Sequence, residues 1–212
     1  MAGFTQFIFK IRQKNLSSYT FSPVVLCDWY TVRFKIMILK MHIKNSTDPF
    51  IRPSARVILL NPNNEVLLLK ADDPKTIEKG GVYRGPFWFL VGGGLQASES
   101  LEQAALREVY EETGIGHHEM TLGPLVWLNY LDLIIDGVAT QLHQHFFVAT
   151  TSQSQISFAH HEPQEQAVIK EARWFSMDGL KACQEPVYPR DLTKHLPALI
   201  SREYPKIPLI IN

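Results

Sequence analysis

The sequence predicts a single mixed α/β domain over residues 51–212, preceded by an N-terminal extension over residues 1–50. Its 212 residues are 45% hydrophobic and 20% charged, which is an ordinary globular composition. From about residue 52, apolar strand-like runs alternate with helical patterns, as in a sandwich of helices and a sheet. Its 21 basic and 21 acidic residues cancel, so the chain as a whole lacks the charge of a polyanion-binding protein.

The extension differs from the rest of the chain in charge. Residues 1–40 contain six lysines and arginines but one acid, Asp28, whereas the remainder has a formal charge of −5. Charged residues interrupt its only apolar stretch well short of the roughly 20 residues that a membrane span needs, and it lacks the clean apolar region of a secretory signal. Its basic composition is weakly typical of a transit peptide. We interpret it as an appendage of uncertain order or as sequence upstream of a true start at Met37 or Met41, and we expect residues 41–212 to fold and work alone.

Cysteine content gives an expectation about the compartment. The chain has two cysteines, Cys27 and Cys183, too few for a disulfide scaffold or a four-thiolate zinc site. A reducing environment suits them best, so we expect a cytoplasmic protein.

The first predicted elements are a β-hairpin and a buried strand. Apolar runs at 55–60 and 65–70 are separated by the turn-forming sequence Asn-Pro-Asn-Asn. The segment 71–86, rich in Asp, Pro, Lys and Gly, is predicted to be a loop. Residues 87–91 form an apolar strand that runs directly into three glycines, Gly92–Gly94.

A helix follows these glycines. Ser100, with Gln103 three positions later, is a capping box that begins the helix, and Gly114 ends it. The remaining predictions are long strands at 122–135 and 139–150 joined by an Asp136-Gly137 turn, a loop at 159–166, a strand at 168–175, and helices at 177–183 and 191–203.

Three carboxylates converge on one side of that helix. Glu108, Glu111 and Glu112 are three or four residues apart along it and share a narrow arc, while Ala105, Leu106, Val109 and Tyr110 form the predicted core face. One interpretation is a solvated acidic face. The other is a site for a divalent cation, since only Arg107 lies within helical pairing distance of these acids. Oxygen ligands without His or Cys suit Mg²⁺ or Mn²⁺, and the spacing alone leaves both interpretations open.

The wider segment resembles a known motif. Its spacing is G-x5-E-x7-R-E-U-x-E-E-x-G-U, where U is apolar, and the matching residues are Gly93, Glu99, Arg107, Glu108, Val109, Glu111, Glu112, Gly114 and Ile115. This resembles the Nudix hydrolase box at every defined position, a match that chance would give on the order of once in ten million chains. The flanking segments 88–90 and 173–176 are also similar to the family, although Val91 stands where many relatives carry proline. The resemblance covers roughly residues 52–185.

The resemblance implies a Nudix-type α/β/α sandwich with a mixed central sheet. It also implies a pyrophosphohydrolase that depends on Mg²⁺ or Mn²⁺ and cleaves the diphosphate linkage of a nucleoside diphosphate joined to another moiety. Carried onto this chain, the metal ligands are Glu108, Glu111, Glu112 and the Gly92 carbonyl. Glu111 or Glu112 also serves as the base, or a glutamate from a distant loop does so, with Glu165 preferred over Glu162 and Glu171. The residues expected to support the site are Gly93, Glu99, Arg107 and Gly114.

Candidate substrate contacts come from the residues around the box. Arg84 precedes the metal site and is a candidate phosphate ligand, while Trp88 and Trp174 are candidates for stacking on a nucleobase. The simpler interpretation of such residues is a solvated cation and core aromatics. The adjacent His160 and His161 are interpreted as polar loop residues.

Other functions fit parts of the sequence. A non-catalytic Nudix-fold sensing or interaction module is the main alternative, but such a module has no need for clustered unpaired acids. An isoprenoid diphosphate isomerase of the same superfamily requires a strand cysteine that Cys27 and Cys183 do not supply. An RNA-end hydrolase is less expected because only the extension is basic. The expected partner is therefore a small nucleotide-type substrate, without a membrane or nucleic acid, and a homodimer is an option that the resemblance allows.

Overall fold

A nine-stranded mixed sheet organises the part of the chain that the structure describes. This computed structural model describes residues 48–161 and 163–212, apart from the side chains of residues 163–165. Within it, Asp48–Asn212 is a compact unit. The predicted extension up to residue 47 lies outside the described residues, so its predicted boundary stays a prediction.

The elements follow each other along the chain as alternating strands and helices. The strands are β1 (Phe50–Leu60), β2 (Val66–Ala71), β3 (Thr76–Glu78), β4 (Phe87–Gly94), β5 (Met120–Ile135), β6 (Val138–Thr151), β7 (Ile169–Phe175), β8 (Val187–Tyr188) and β9 (Leu209–Ile210). The helices are α1 (Leu101–Thr113), α2 (Pro163–Val168), α3 (Met177–Ala182) and α4 (Leu192–Ile200), with a 3₁₀ turn at His117–Glu119.

The strand β4 changes partner along its length, and this change positions the glycines. The sheet order is β3-β5-β6-β1-β2-β4-β8, with β7 on β2 and β9 on β5. The first half of β4 pairs with β2, where Leu90 lies opposite Leu68. Its second half pairs with β1, where Val91 lies opposite Val57. The three glycines therefore run antiparallel to the start of β1.

Helices cover both faces of the sheet. One apolar cluster contains Ala104, Ala105 and Val109 of α1, together with Leu67 and Leu69 of β2. The cluster on the other face joins the alternate residues of β2 to α3 and α4 through Val66, Leu68, Leu180, Leu192, Leu196 and Leu199. Because successive side chains of a strand point to opposite faces, β2 is buried on both sides. The predicted α/β/α sandwich is confirmed.

Several elements differ from the sequence prediction. The predicted loop 71–86 contains the short strand β3, and the predicted loop 159–166 ends in α2. The side chain of Tyr110, assigned to the core face of α1, is 41% exposed, because the buried stripe of that helix follows Ala105 and Val109 instead. The Asp136-Gly137 turn is confirmed, since both residues have positive φ angles, of 48° and 79°. Within the described residues, no helix has the length and apolar character to cross a membrane.

Candidate active site

The ends of α1 are fixed by local hydrogen bonds, and these set the register of its glutamates. At the start, the Gln103 backbone N–H donates to Ser100 Oγ over 3.2 Å, and the Ser100 N–H donates to Gln103 Oε1 over 2.8 Å. At the end, Gly114 has a φ of 75° and donates its N–H to the Tyr110 carbonyl over 2.9 Å. A left-handed conformation of this kind favours glycine at the end of a helix.

Glu108 lies against the glycine-rich strand. Its side chain projects onto Gly93, where a Cβ atom would stand only 2.6 Å from Glu108 Oε1. Residue 108 is 6% exposed, and this burial raises the pKa of its carboxyl group despite the neighbouring positive charge of Arg107. A buried carboxylate of this kind is stabilised by a bound cation.

Glu112 bridges α1 and the same strand. The Gly92 N–H donates to Glu112 Oε2 over 2.7 Å, and the residue is 4% exposed. Its backbone carbonyl accepts a hydrogen bond from His161 Nε2 over 2.9 Å. Glu112 is thus held through both its side chain and its main chain.

Arg107 links four groups around the glutamates. It contacts both carboxylate oxygens of Glu99, through Nε at 2.7 Å and Nη2 at 3.0 Å. Its Nη1 atom donates to Glu108 Oε1 at 2.8 Å and to Glu111 Oε2 at 2.7 Å, and its Nη2 atom donates to the Gly94 carbonyl at 3.1 Å. The hydrogen bond from Arg107 lowers the pKa of Glu99, although partial burial acts in the opposite direction. Although burial lowers the pKa of Arg107, the surrounding carboxylates raise it above its usual value overall.

A second arginine, Arg56 of β1, contacts the backbone of β4 beside the glutamates. Its Nη1 atom donates to the carbonyl oxygens of Gly92 and Leu90, and the guanidinium carbon lies 5.7 Å from the centre of the Phe89 ring. Burial lowers the pKa of Arg56, whereas Glu112 and Glu108 act to raise it. Arg56 was not among the residues predicted for the site, although a charged residue within the apolar run 55–60 was an available signal.

One predicted ligand has a partner in this structure. The Gly92 carbonyl, predicted to bind a metal, accepts a hydrogen bond from Arg56 Nη1. Because a carbonyl oxygen has two lone pairs, its role as a metal ligand stays a prediction. Across the described residues, no three His, Cys, Asp or Glu side chains surround a common point that would hold a metal ion. The glutamates are instead bonded to Arg107 and to the Gly92 N–H.

Comparison with known proteins decides the family. The NUDIX domain model matches residues 50–196, which is more than half of the chain and includes α1 and the glycine-rich strand. The chain belongs to the Nudix family.

Two curated Nudix relatives match in sequence. A putative 8-oxo-dGTP diphosphatase from Bacillus subtilis is 42% identical over 60 residues, which is 28% of this chain and only 33% of that protein's length. An RNA pyrophosphohydrolase from a Wolbachia pipientis strain of Culex pipiens is 26% identical over 145 residues, covering 64% of this chain and 80% of the relative.

Solved structures show the same Nudix fold. The MutT protein from Methanosarcina mazei has a TM-score of 0.52 at 22% identity. The superposition covers 73% of this chain and 98% of the MutT chain. A Nudix hydrolase from Nitrosomonas europaea has a TM-score of 0.53 at 18% identity and covers 74% and 92%. At these identities the likeness concerns the fold.

One predicted substrate contact of the Nudix site is wrong. Trp88 is 1% exposed, its ring centre lies 4.8 Å from that of Phe175, and its Nε1 atom donates to Glu185 Oε2 over 2.7 Å. Strand alternation directs this residue into the core beneath α3 and α4, so its ring offers no face to a ligand. Trp174 is partly buried and donates from Nε1 to the Ser154 carbonyl over 2.9 Å, while Arg84 is exposed in the loop before β4.

The structure separates the candidates for a distant base. Glu171 lies on β7, where its Oε1 atom accepts a hydrogen bond from Arg173 Nε over 2.9 Å. Glu165 belongs to α2, but its side chain lies outside the described part of the structure, as does the whole of Glu162. Among these three, Glu165 and Glu162 therefore stay predictions.

An aromatic cluster that the sequence analysis missed lies beside the Nudix site. It consists of Phe87, Phe89 and Tyr188, all partly exposed, with the Phe87 ring centre 5.9 Å from that of Phe89 and 5.7 Å from that of Tyr188. Arg56 lies over the ring of Phe89, and Arg190 lies 5.0 Å from the ring centre of Tyr188. The alternation along β4 was a signal, since residues 87 and 89 share the face opposite to Trp88.

Proposed function

We propose that this Nudix protein is a pyrophosphohydrolase dependent on Mg²⁺ or Mn²⁺. Its reaction is cleavage of the diphosphate linkage in a nucleoside diphosphate joined to another moiety. The main support for the proposal is that the side chains of Glu108 and Glu112, both on α1, contact the glycine-rich strand β4. Glu108 packs against Gly93, and Glu112 accepts a hydrogen bond from the Gly92 N–H. Glu111 completes the set, one helical turn from Glu108.

The donor set fits a hard divalent cation. Glu108, Glu111 and Glu112 supply only carboxylate oxygens, the ligands that Mg²⁺ and Mn²⁺ prefer. Arg107 contacts one oxygen of Glu108 and one of Glu111, which leaves the second oxygen of each to contact a cation. When bound, the metal supplies positive charge beside the diphosphate and lowers the pKa of a bound water.

The protein's own groups then accept the proton and hold the site together. Glu111 or Glu112 accepts the proton of the attacking water, or Glu165 does so from α2. The base has to lie within hydrogen-bond distance of that water, and this requirement comes before a suitable pKa. The helix α2 begins two residues after His161, which is bonded to the Glu112 carbonyl, so its backbone starts close to the end of α1. Arg107 keeps Glu99 and the Gly94 carbonyl together beneath the glutamates.

The aromatic cluster supports a nucleoside as the group joined to the diphosphate. Phe87, Phe89 and Tyr188 present partly exposed rings suited to stacking on a base. Arg84, exposed in the preceding loop, is retained as a phosphate contact, and Trp174 as a further stacking residue. Both curated relatives carry names that specify nucleotide substrates, an oxidised deoxynucleotide and RNA. We further propose that the substrate is a small molecule, that the protein works in the cytoplasm away from membranes, and that it can form a homodimer.

The proposal predicts the effect of removing single carboxylates. Glu111→Gln and Glu112→Gln should each abolish metal-dependent phosphate release while the circular dichroism spectrum stays that of the wild type, since each change preserves side-chain volume. The exposed Glu102, in the first turn of the same helix, provides the matched control, and Glu102→Gln should retain activity. Full activity in both site variants would refute the assignment.

A substrate panel identifies the activity. Purified protein with Mg²⁺ or Mn²⁺ is tested on nucleoside triphosphates, sugar nucleotides, dinucleoside polyphosphates and capped RNA. We expect release from one of these classes in the wild type and none in Glu112→Gln. Nucleotide binding without release in any class would favour the alternative of a non-catalytic sensing or interaction module, for which the pairing of Glu108 and Glu111 with Arg107 is the supporting observation.

A further inference from the structure

The segment 157–161, here called the strap, covers the carboxyl end of α1. The Ser157 N–H donates to the Thr113 carbonyl over 2.9 Å, and His161 Nε2 lies 2.9 Å from the Glu112 carbonyl oxygen. The strap therefore serves two of the last carbonyl groups of the helix. Such groups have no partner within the helix itself.

The geometry defines how His161 binds. A carbonyl oxygen only accepts, so the Nε2 atom of His161 must carry the proton and donate it. Residue 161 is 5% exposed, and its ring centre lies 4.5 Å from that of Phe158. Because water has little access to this position, no solvent molecule replaces the imidazole as the donor to Glu112.

The last turn of α1 carries Glu112, and the strap holds the carbonyl groups of Glu112 and Thr113 through His161 and Ser157. The helix ends at Gly114, so no further helical turn follows to hold the backbone of Glu112 in place. The carboxylate of Glu112 nevertheless has to reach the Gly92 N–H on β4. Its direction therefore depends on the conformation of a terminal turn, and terminal turns fray when their carbonyl groups lose their partners.

We propose that His161 is a positioning residue of the active site. Its hydrogen bond to the Glu112 carbonyl fixes the last turn of α1 and thereby directs the Glu112 carboxylate towards the metal and the Gly92 N–H. The inference rests on the proposed function, because it takes Glu112 as a metal ligand. It gives a positioning role to a residue that the sequence predicted only as a polar loop residue.

A second hydrogen bond of His161, made by its main chain, connects α2 to the end of α1. The His161 carbonyl accepts a hydrogen bond from Gln166 Nε2 of α2 over 2.9 Å. His161 thus bonds to α1 through its side chain and to α2 through its main chain. These two hydrogen bonds connect the helix that carries Glu165 to the end of the helix that carries Glu112.

The test compares His161→Leu with His161→Gln. Glutamine presents an amide N–H where the imidazole Nε2 lies, whereas leucine fills the space without a donor. Binding of Mn²⁺ in the absence of substrate is measured by electron paramagnetic resonance at 20 °C, and kcat and KM are measured separately. We expect His161→Leu to weaken Mn²⁺ binding and lower kcat about 10- to 100-fold with little change in KM, as for other residues that orient metal ligands. His161→Gln should recover most of both.

The matched control is the neighbouring histidine. His160 stacks on the exposed ring of Tyr110, with ring centres 4.5 Å apart, and belongs to the same strap. His160→Ala should leave Mn²⁺ binding within about twofold of the wild type, since it removes a surface ring contact and no hydrogen bond to Glu112.

The outcomes separate the inference from the proposed function. If the wild-type protein does not bind Mn²⁺, the proposed function fails. If the wild type binds Mn²⁺ and the folded His161→Leu variant binds it equally well, the inference is wrong. A lower melting temperature as the only effect of His161→Leu would show that His161 has a structural role alone. Should His161→Leu not fold, His161→Asn replaces it, because its shorter side chain places the amide away from Nε2. Equal Mn²⁺ affinity of the Asn and Gln variants would then contradict the inference.

Discussion

At the scale of single residues, Gly93 determines where Glu108 can lie. A methyl group at position 93 would stand 2.6 Å from Glu108 Oε1 and 2.7 Å from Oε2. The Glu108 carboxylate would have to move aside, and that movement would disturb its contact with Arg107. We expect Gly93→Ala to lower kcat at least tenfold and to reduce the free energy of unfolding by about 1 to 3 kcal/mol, the usual range for overpacking.

The control for this variant is another glycine with room for a methyl group. At Gly179, in α3, the nearest atom to a new Cβ is Ser176 Oγ at 3.4 Å, an ordinary contact. Gly179→Ala should retain activity and keep or raise the melting temperature, because alanine favours the helix. Activity of Gly93→Ala equal to that of Gly179→Ala would contradict the role given to Gly93.

Glu99 gives the site a dependence on pH that a stability measurement can detect. Arg107 lowers the folded-state pKa of Glu99, so the stabilisation is present above the unfolded pKa and is lost as the pH falls through the lowered folded value. We expect Glu99→Gln to reduce the free energy of unfolding by about 1 to 2 kcal/mol at pH 7, as for a charge-assisted hydrogen bond to arginine. The difference from the wild type should shrink in acid, as measured by urea unfolding between pH 7 and pH 3. A difference that stays constant over this range would rule out the ion pair as its cause.

The residues that the sequence did not reveal have partners that are distant along the chain. His161 binds a carbonyl 49 residues away, and nothing in its own neighbourhood indicates that contact. Trp88 was misassigned because an apolar run such as 87–91 does not say which of its faces meets a cleft. Glu108, Glu111 and Glu112 could be predicted as candidates because all three lie on one helix at spacings of three and four residues, and their role as metal ligands stays a prediction.

At the scale of elements, the β5–β6 hairpin depends on its two-residue turn. Gly137 has a φ of 79°, and a Cβ there would meet no atom within 4 Å, so conformational strain is the only cost of a side chain. We expect Gly137→Ala to lower the free energy of unfolding by about 1 kcal/mol, measured by urea titration, because alanine disfavours positive φ. Asp136→Asn is the control, since asparagine adopts positive φ readily, and it should cost less than about 0.5 kcal/mol. Equal losses in the two variants would show that turn conformation is not the cause.

Elements with local signals were predicted, and those without were not. The helix α1 carries a capping box at Ser100 and a terminal glycine at Gly114, and its bounds agree with the prediction. The short strands β3, β8 and β9 contain two or three residues and exist only through pairing with distant strands. The short helix α2 begins at Pro163, and proline at the first helical position was an available but unused signal.

At the scale of the whole molecule, the described fold accounts for the Nudix site without the N-terminal extension. All of the residues assigned to the metal and its support lie between Gly92 and Gly114, and within the described residues both core clusters are built from residues after Ser54. We expect a chain of residues 41–212 to keep the melting temperature of the full chain within about 3 °C, a shift worth less than about 1 kcal/mol for this size. Its kcat should also match that of the full chain. Loss of activity in a folded truncation would assign the extension a part in catalysis.

Calorimetric titration with Mn²⁺ measures directly whether Glu108, Glu111 and Glu112 on α1 bind a divalent cation. The titration is performed with and without a diphosphate, on the wild type and on Glu112→Gln, with the melting temperature measured in parallel. We expect saturable binding in the wild type and stabilisation of about 2.7 kcal/mol when the free ion exceeds its Kd a hundredfold. Glu112→Gln should weaken binding at least tenfold. A wild-type protein whose heats and melting temperature do not respond to Mn²⁺, even with diphosphate present, would show that these glutamates do not form a metal site.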